Sequence, residues 1–598
     1  MMRTQVRILL AAAMFAGALL PAMNRAEAQS CSPSAVVWNC WEGTLAVTLG
    51  PNVDPYRDLK LKVTFSQLGQ SSFTSYVFWD GGSTYKFRTA FPASGTWSWS
   101  VTCEAGCSGT GFSPSSSSVT VASYVDPNPS DPNPLYTHGL LQVGTSGLTA
   151  FHYLAHNDGT PFFWLGDTTW DGPVRATSTQ WTTYLADRKS RRFAVVQIAL
   201  PVDTMRTCGL QPTDASGFQP FTKIFAGCSS SDPIPNSCWR WNPAFWQAFE
   251  KKVQAANDQG MAVTIVGLME RLIEGCNNGQ GYPTLNDSKI YARNIASRFS
   301  GNHVVFSPGF DRKPDVALST CTASSSALTC RMRTIGQEVK NAAPRHLVTN
   351  HWAGTADAVA DMEPFQAESW LDFQLFQSGQ AKNSSTQLQT LTQRAREIPA
   401  TLWPFTPLKP NVNGESIYDG GNGGAAPYNA YRARQTAYLS LLSGAVGYTF
   451  GVQGVWDWGE YGSDYLTGMA RPSNTQMQYL GALFRSGAWQ QIVPEPSRIQ
   501  NQAPDNRQDL KMVLSRDVNG AFLVAYLPGN PSIKISLSGL PSVPRNGVWF
   551  DPRTSVSYTA TGVVDPLDSQ SFTYTAPTCP GSGDPSCPTE PDWVLILA

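Results

Sequence analysis

Acids and tryptophans recur where short apolar runs end. PFFWLGD (161–167) ends on Asp167, with Trp170 close behind, and MAVTIVGL (261–268) is followed by Glu270. HVVFS (303–307) leads through Ser-Pro-Gly and Phe310 into Asp311 and Arg312, and HLVTN (346–350) is followed by His351 and Trp352. KPNVNGE (409–415) ends on Glu415, and GYTFGV (447–452) leads to Trp456, Asp457 and Glu460. Two carboxyl groups held across a sugar can break a glycosidic bond. One, protonated, assists the leaving oxygen; the other, ionised, attacks the anomeric carbon or activates water. Asp311 and Glu415 are the candidate pair. Loop acids also cap helices or pair with neighbours such as Arg312 and Lys313, and spacing along the chain does not give their separation.

These residues need a scaffold that brings strand ends together. The apolar runs above, with FAVVQIAL (193–200) and LDFQLF (371–376), alternate with amphipathic stretches at 178–190, 243–258, 287–299, 331–342, 384–397 and 427–442. Eight β/α units over about 340 residues predict a central (β/α)8 TIM barrel, whose chemistry sits at the C-terminal ends of its strands. Strands 4 and 7 lie across such a barrel, so Asp311 and Glu415 could face each other over its mouth. Asp167 fits equally a ligand for sugar hydroxyls and a helix cap. Trp170, His351, Trp352 and Trp456 are candidate subsite walls, and each type is common in plain packing.

Both flanks read as β-sandwiches, which makes the chain multidomain. Before the Pro/Asn/Asp-rich stretch VDPNPSDPNP, apolar and polar residues alternate with frequent turns. The expected units are a signal peptide over 1–28, an Ig-like sandwich over 31–124, a linker over 125–138, the barrel over 139–498 and a C-terminal sandwich over 499–598. The first 28 residues carry Arg3 and Arg7, a greasy run and Ala26-Glu27-Ala28, which predicts export with cleavage after Ala28, to the periplasm or beyond. No later run is apolar enough to span a bilayer.

All 12 cysteines follow that site. Close pairs are expected at Cys31/Cys40, Cys103/Cys107, Cys321/Cys330 and Cys579/Cys587. Cys208, Cys228, Cys238 and Cys276 would supply two further bridges with connectivity open. With six histidines and no paired CxxC units, no metal or other cofactor is expected. A net charge of −1 with 15% charged residues gives no electrostatic case for nucleic acid or an anionic membrane. The 19 tryptophans suit a carbohydrate partner, because an aromatic face matches the C–H face of a sugar ring. Oligomeric state is not readable.

The stretches FFWLGDTTW, NHVVFSPGFDR, ESWLDFQLFQSGQ, KPNVNGESIYD and LLSGAVGYTFGVQGVW, in this order over roughly 140–495, resemble the apiosidase-like family of glycoside hydrolases. Residues 31–124 resemble the Ig-like module that often precedes that catalytic domain. The tail, with VAYLPGN, VWFDPRT and DWVLIL, resembles a module labelled collagen-binding, read here as an accessory sandwich. The resemblance implies Asp311 as acid/base and Glu415 as nucleophile of a retaining glycosidase, with Arg312 holding local geometry or touching substrate. The implied substrate is a pentose such as apiose on a pectin side chain. Three departures stand out: Phe310 where the family has glycine, Ser416 where it has proline, and Asp419 where it has glutamate. Phe310 could desolvate the acid or narrow the pocket. Two alternatives remain: an exported carbohydrate- or matrix-binding protein that keeps the barrel as a scaffold, and a glycosidase that pairs Asp311 with Glu270 or Glu460. The chain has no HExxH motif and no GxSxG elbow to support a protease.

Overall fold

The computed structural model describes residues 30–200, 212–223, 238–268, 284–322, 325, 327–380, 384–421, 428–459, 462, 464–529, 531–540, 546–577 and 591–598. The expected signal peptide, Glu270, Glu460 and the Cys579/Cys587 pair lie outside them.

At the centre, parallel strands run β1 (Trp164–Thr168), β2 (Val195–Ala199), β3 (Ala262–Val266), β4 (Val304–Ser307, resuming over Phe310–Arg312), β5 (His351–Trp352), β6 (Gln374–Gln377), β7 (Asn411–Glu415) and β8 (Gly447–Phe450). Pairing runs in sequence order from β1 to β4, and β8 returns to β1, with Leu165 opposite Tyr448 and Gly166 opposite Thr449. The ring is closed through β4, which meets β5 at a Phe306–Val348 bridge and again at Phe310–His351. These strands are near-continuously apolar because helices cover them from outside. The helices are α1 (Ser178–Ser190), α2 (Pro243–Asp258), α3 (Leu285–Arg298), α4 (Leu328–Ala342), α5 (Ala358–Met362), α6 (Ser385–Leu402), α7 (Ala430–Leu441) and α8 (Pro472–Arg485).

Local chemistry starts several of them. A Thr177/Gln180 capping box opens α1 and a Thr284/Asp287 box opens α3, each satisfying two orphan N–H groups. Strand 5 departs from expectation. The apolar run 346–350 makes only the Val348 bridge, and the paired residues are His351 and Trp352. Strand 4 is broken at Ser307-Pro308-Gly309, and side chains replace the missing ladder there. Ser307 Oγ accepts the His351 N–H at 2.8 Å and donates to the Gly309 carbonyl at 2.7 Å, while Asn350 Oδ1 accepts the Gly309 N–H at 2.8 Å. A β-carbon on Gly309 would stand 2.3 Å from Asn350 Oδ1, so the turn needs glycine.

N-terminal to the barrel, two four-stranded antiparallel sheets enclose Trp41, Leu45, Phe65, Phe87 and Trp97. C-terminal to it, a six-stranded and a three-stranded sheet enclose Leu514, Trp549 and Phe572. The N-terminal sheets dock through buried charge. Arg88 Nη2 lies 2.6 Å from Glu250 of α2 and 2.7 Å from Glu42. Arg298 of α3 pairs with Glu250 and, at 3.0 Å, with Asp80. At the other end, Arg434 of α7 holds Asp592 at 2.6 and 2.8 Å, with the Tyr526 hydroxyl at 2.8 Å.

Disulfides join Cys31 to Cys40, Cys103 to Cys107 and Cys321 to Cys330, as expected, and Cys238 is also disulfide-bonded. Among the described residues, no helix is long and apolar enough to cross a membrane.

Candidate active site

Asp311 stands at the resumed end of β4 in an unusual conformation. Its φ is 60°, and the register against β5 shifts between Phe310 and Arg312. This is a bulge, which re-aims a side chain, and aspartate is among the few non-glycine residues that tolerate the left-handed region. The result is an exposed carboxylate between a buried Phe310 and a half-buried Arg312.

Glu415 ends β7, half-buried, with Gly414 before it packed against Leu375 of β6. A glutamine that ends β6 and one just beyond it reach the acids. Gln377 Nε2 donates to Asp311 Oδ1 at 3.0 Å and to Glu415 Oε2 at 3.4 Å. Gln380 Nε2 donates to Glu415 Oε1 at 2.5 Å. One nitrogen touching both acids caps the separation of those two oxygens at the sum of the two bond lengths.

His351, fully buried, completes the group. Its Nδ1 accepts the backbone N–H of Asp311 at 3.3 Å, which leaves the ring proton on Nε2, and Nε2 faces Glu415 Oε2 at 3.4 Å. Tyr418 is buried beside Glu415. Burial, reinforced by the Glu415 charge, holds its phenol protonated well above the ordinary tyrosine range. One wall is aromatic. Trp170 packs on Phe310 at 4.5 Å and stands edge-on to His351 at 5.6 Å, and its backbone N–H donates to the Trp456 carbonyl at 3.0 Å. The Trp456 ring lies 6.0 Å from that of Tyr418.

Asp311, Glu415, His351, Trp170 and Trp456 therefore converge at the C-terminal end of the barrel. Arg312 stands beside them, its Nη1 donating to the Asp311 carbonyl at 3.4 Å. Two expected substrate contacts are corrected. Asp167 is fully buried, with Arg188 Nε at 2.6 Å and the Tyr184 hydroxyl at 2.8 Å, both from α1. It faces the helix layer, because successive side chains of a strand point to opposite sides. Burial pushes its carboxyl up despite the adjacent arginine. Trp352 is also fully buried; its Nε1 donates to Gln374 Oε1 at 2.8 Å and its ring packs on Phe365 at 4.9 Å. It is core. Phe310 does not cover the acid either: it is buried against Trp170 and His351 while Asp311 stays exposed.

Gln377, Gln380 and Tyr418 were missed from sequence. The signal was present in FQSGQ and ESIYD, but amides and a phenol do not announce themselves as acid–base groups.

The apiosidase-like catalytic domain matches residues 149–491. The chain belongs to this family. A domain of unknown function (DUF5060) matches 35–104, and a module named for the collagen-binding domain of a collagenase matches 493–598. Solved structures share the fold of this apiosidase-like chain. One titled "Glycoside hydrolase" is 20% identical with a TM-score of 0.60, covering 77% of this chain and 97% of its own. A family 5 glycoside hydrolase from Bacteroides vulgatus is 21% identical with a TM-score of 0.61, covering 77% of this chain and 94% of its own. A further glycoside hydrolase structure from that organism is 16% identical with a TM-score of 0.61, covering 94% of this chain and 99% of its own. No protein of curated function matches. The fold is thus that of glycoside hydrolases, and the carboxylate pair is suited to glycosidic bond hydrolysis.

Proposed function

We propose that this chain is an exported retaining glycosidase, with Asp311 as acid/base and Glu415 as nucleophile. The observation that carries this reading is the shared Gln377 nitrogen, 3.0 Å from Asp311 Oδ1 and 3.4 Å from Glu415 Oε2. A pair of oxygens bridged by one nitrogen suits the closer spacing of retaining carboxyl groups, roughly 5–5.5 Å, better than an inverting pair, which must leave room for a water between base and sugar. Asp311 protonates the glycosidic oxygen while Glu415 forms a bond to the anomeric carbon and the leaving alcohol departs. Asp311 then takes a proton from water, whose oxygen displaces Glu415. Gln380 donates to Glu415 and orients it, with the His351 ring beside it; Trp170 and Trp456 wall the sugar.

Disulfides support an oxidising compartment, as an exported enzyme requires. The sandwiches bounded at about 124 and 499 are read as accessory modules of that enzyme, and an apiose-bearing pectin side chain as its substrate. The test is sugar release from plant pectins, arabinans and bacterial polysaccharides by the wild type, Asp311→Asn and Glu415→Gln. Release by the wild type that collapses in both variants is expected. Tight binding of one polymer without release would replace this reading with that of a carbohydrate-binding protein.

A further inference from the structure

We propose that Gln377 is a positioning residue that decides which oxygen of Asp311 delivers the proton. This rests on the reading of Asp311 and Glu415 as acid and nucleophile.

Gln377 is buried at 6% exposure, so its amide does not trade partners with bulk water. An amide NH2 has two hydrogens, and here one reaches each carboxylate. The reverse orientation would set the amide oxygen against the ionised Glu415, so that carboxylate dictates the flip. The amide oxygen instead lies over Gly354, where a β-carbon would stand 2.5 Å from it. Gly354 is in turn held by Arg394, whose Nη1 donates to its carbonyl at 2.7 Å. The space behind Gln377 is therefore made by a glycine, and the amide sits in one pose.

That pose has a consequence for the proton. Asp311 Oδ1 is occupied as an acceptor, so the transferable hydrogen belongs on Oδ2, which receives no hydrogen bond among the described residues. Left-handed backbone at Asp311 sets where the side chain emerges; Gln377 sets its rotation. Without the amide, the carboxyl can turn either oxygen to the leaving group, and the fraction of productive encounters falls. The loss is confined to steps that need the proton.

Leaving groups read this directly. A 4-nitrophenolate departs with little protonic help, whereas a methoxide needs all of it. Gln377→Met, similar in length but without the amide, and Gly354→Ala, whose β-carbon would press on both the amide and the Gly379 backbone, are measured on 4-nitrophenyl and methyl β-D-apiofuranosides and α-L-arabinofuranosides. For Gln377→Met, kcat/KM on the methyl glycoside is expected to fall about 100-fold and on the 4-nitrophenyl glycoside less than about 10-fold. Gly354→Ala is expected to show the same split, smaller in both arms. Equal losses on both leaving groups, the mark of a merely structural role, or no loss on either, would overturn the inference and leave the glycosidase reading standing. A wild type inert on every glycoside would take down the pentosidase reading, and this inference with it.

Discussion

Glu250 and Glu415 belong to the same barrel, one buried in its helix layer and one half-buried at its mouth, and the groups seen around them differ. Glu250 lies between Arg88 and Arg298, and the same cluster takes in Glu42, Asp80 and Lys86. Burial pushes Asp80 up, but Arg298 and Lys86 outweigh it and hold its carboxyl below the usual carboxylate range. Glu415 is met by the amides of Gln377 and Gln380, by the His351 ring and by the buried Tyr418. A carboxylate locked to arginines holds domains together. One set at the mouth of the barrel, with amides placed on it, stands where an anomeric carbon can reach it. Asp167, clasped by Arg188, falls with Glu250; Asp311, touched by one amide, falls with Glu415.

Substitutions at either cluster should therefore fail in different assays. The largest effect is expected at the chemical pair: Glu415→Gln and Asp311→Asn should each lower turnover by at least ~10³-fold. Their melting temperatures should stay near that of the wild type; an unfolded variant would blur the distinction. Next comes Glu250→Gln, which takes one of two carboxylate partners from each of two buried arginines and should cost about 1.5–3 kcal/mol of stability in denaturant melts. Activity per folded molecule should survive it.

Acid should act on the docking face. His303 donates towards the Trp38 carbonyl and His346 towards that of Asn302; burial lowers both rings to about 3. Both are neutral in the folded and unfolded chain above pH ~6.5. Below that only the unfolded chain takes up the protons, so stability should fall as pH drops from about 6.5 towards 3, by roughly 1.4 kcal/mol per pH unit for each ring. Melting curves between pH 7 and 4 measure it, and His346→Asn should flatten the slope. The smallest effect on stability is expected at the bulge. Asp311→Gly relieves a left-handed φ and should stabilise the fold by roughly 1 kcal/mol while abolishing activity.

How much of this was legible in the sequence follows from the same contrast. Barrel strands announce themselves because both their faces are buried, and helices α1 and α2 fall on the stretches the periodicity marks, 178–190 and 243–258. Helix α8 and the short α5 were not anticipated. Asp311 and Glu415 were legible because each follows an apolar run at the barrel's reactive end. Asp167 was misplaced because strand-end position does not say which face a side chain takes; a shift of one residue moves it from mouth to helix layer. Trp352 failed for a related reason: strand 5 pairs later than its apolar run, which draws that tryptophan into the core. Gln377 was invisible because its importance lies in joining strand 6 to the ends of strands 4 and 7.

The most direct test of the central assignment is mass spectrometry of the enzyme trapped with 2,4-dinitrophenyl 2-deoxy-2-fluoroglycosides of the sugar it releases. Retention through Glu415 is expected to leave one glycosyl unit on the peptide carrying that residue, with turnover stalled in proportion. A label on Glu270 or Asp311 instead, or a first-formed product of inverted configuration, would contradict it.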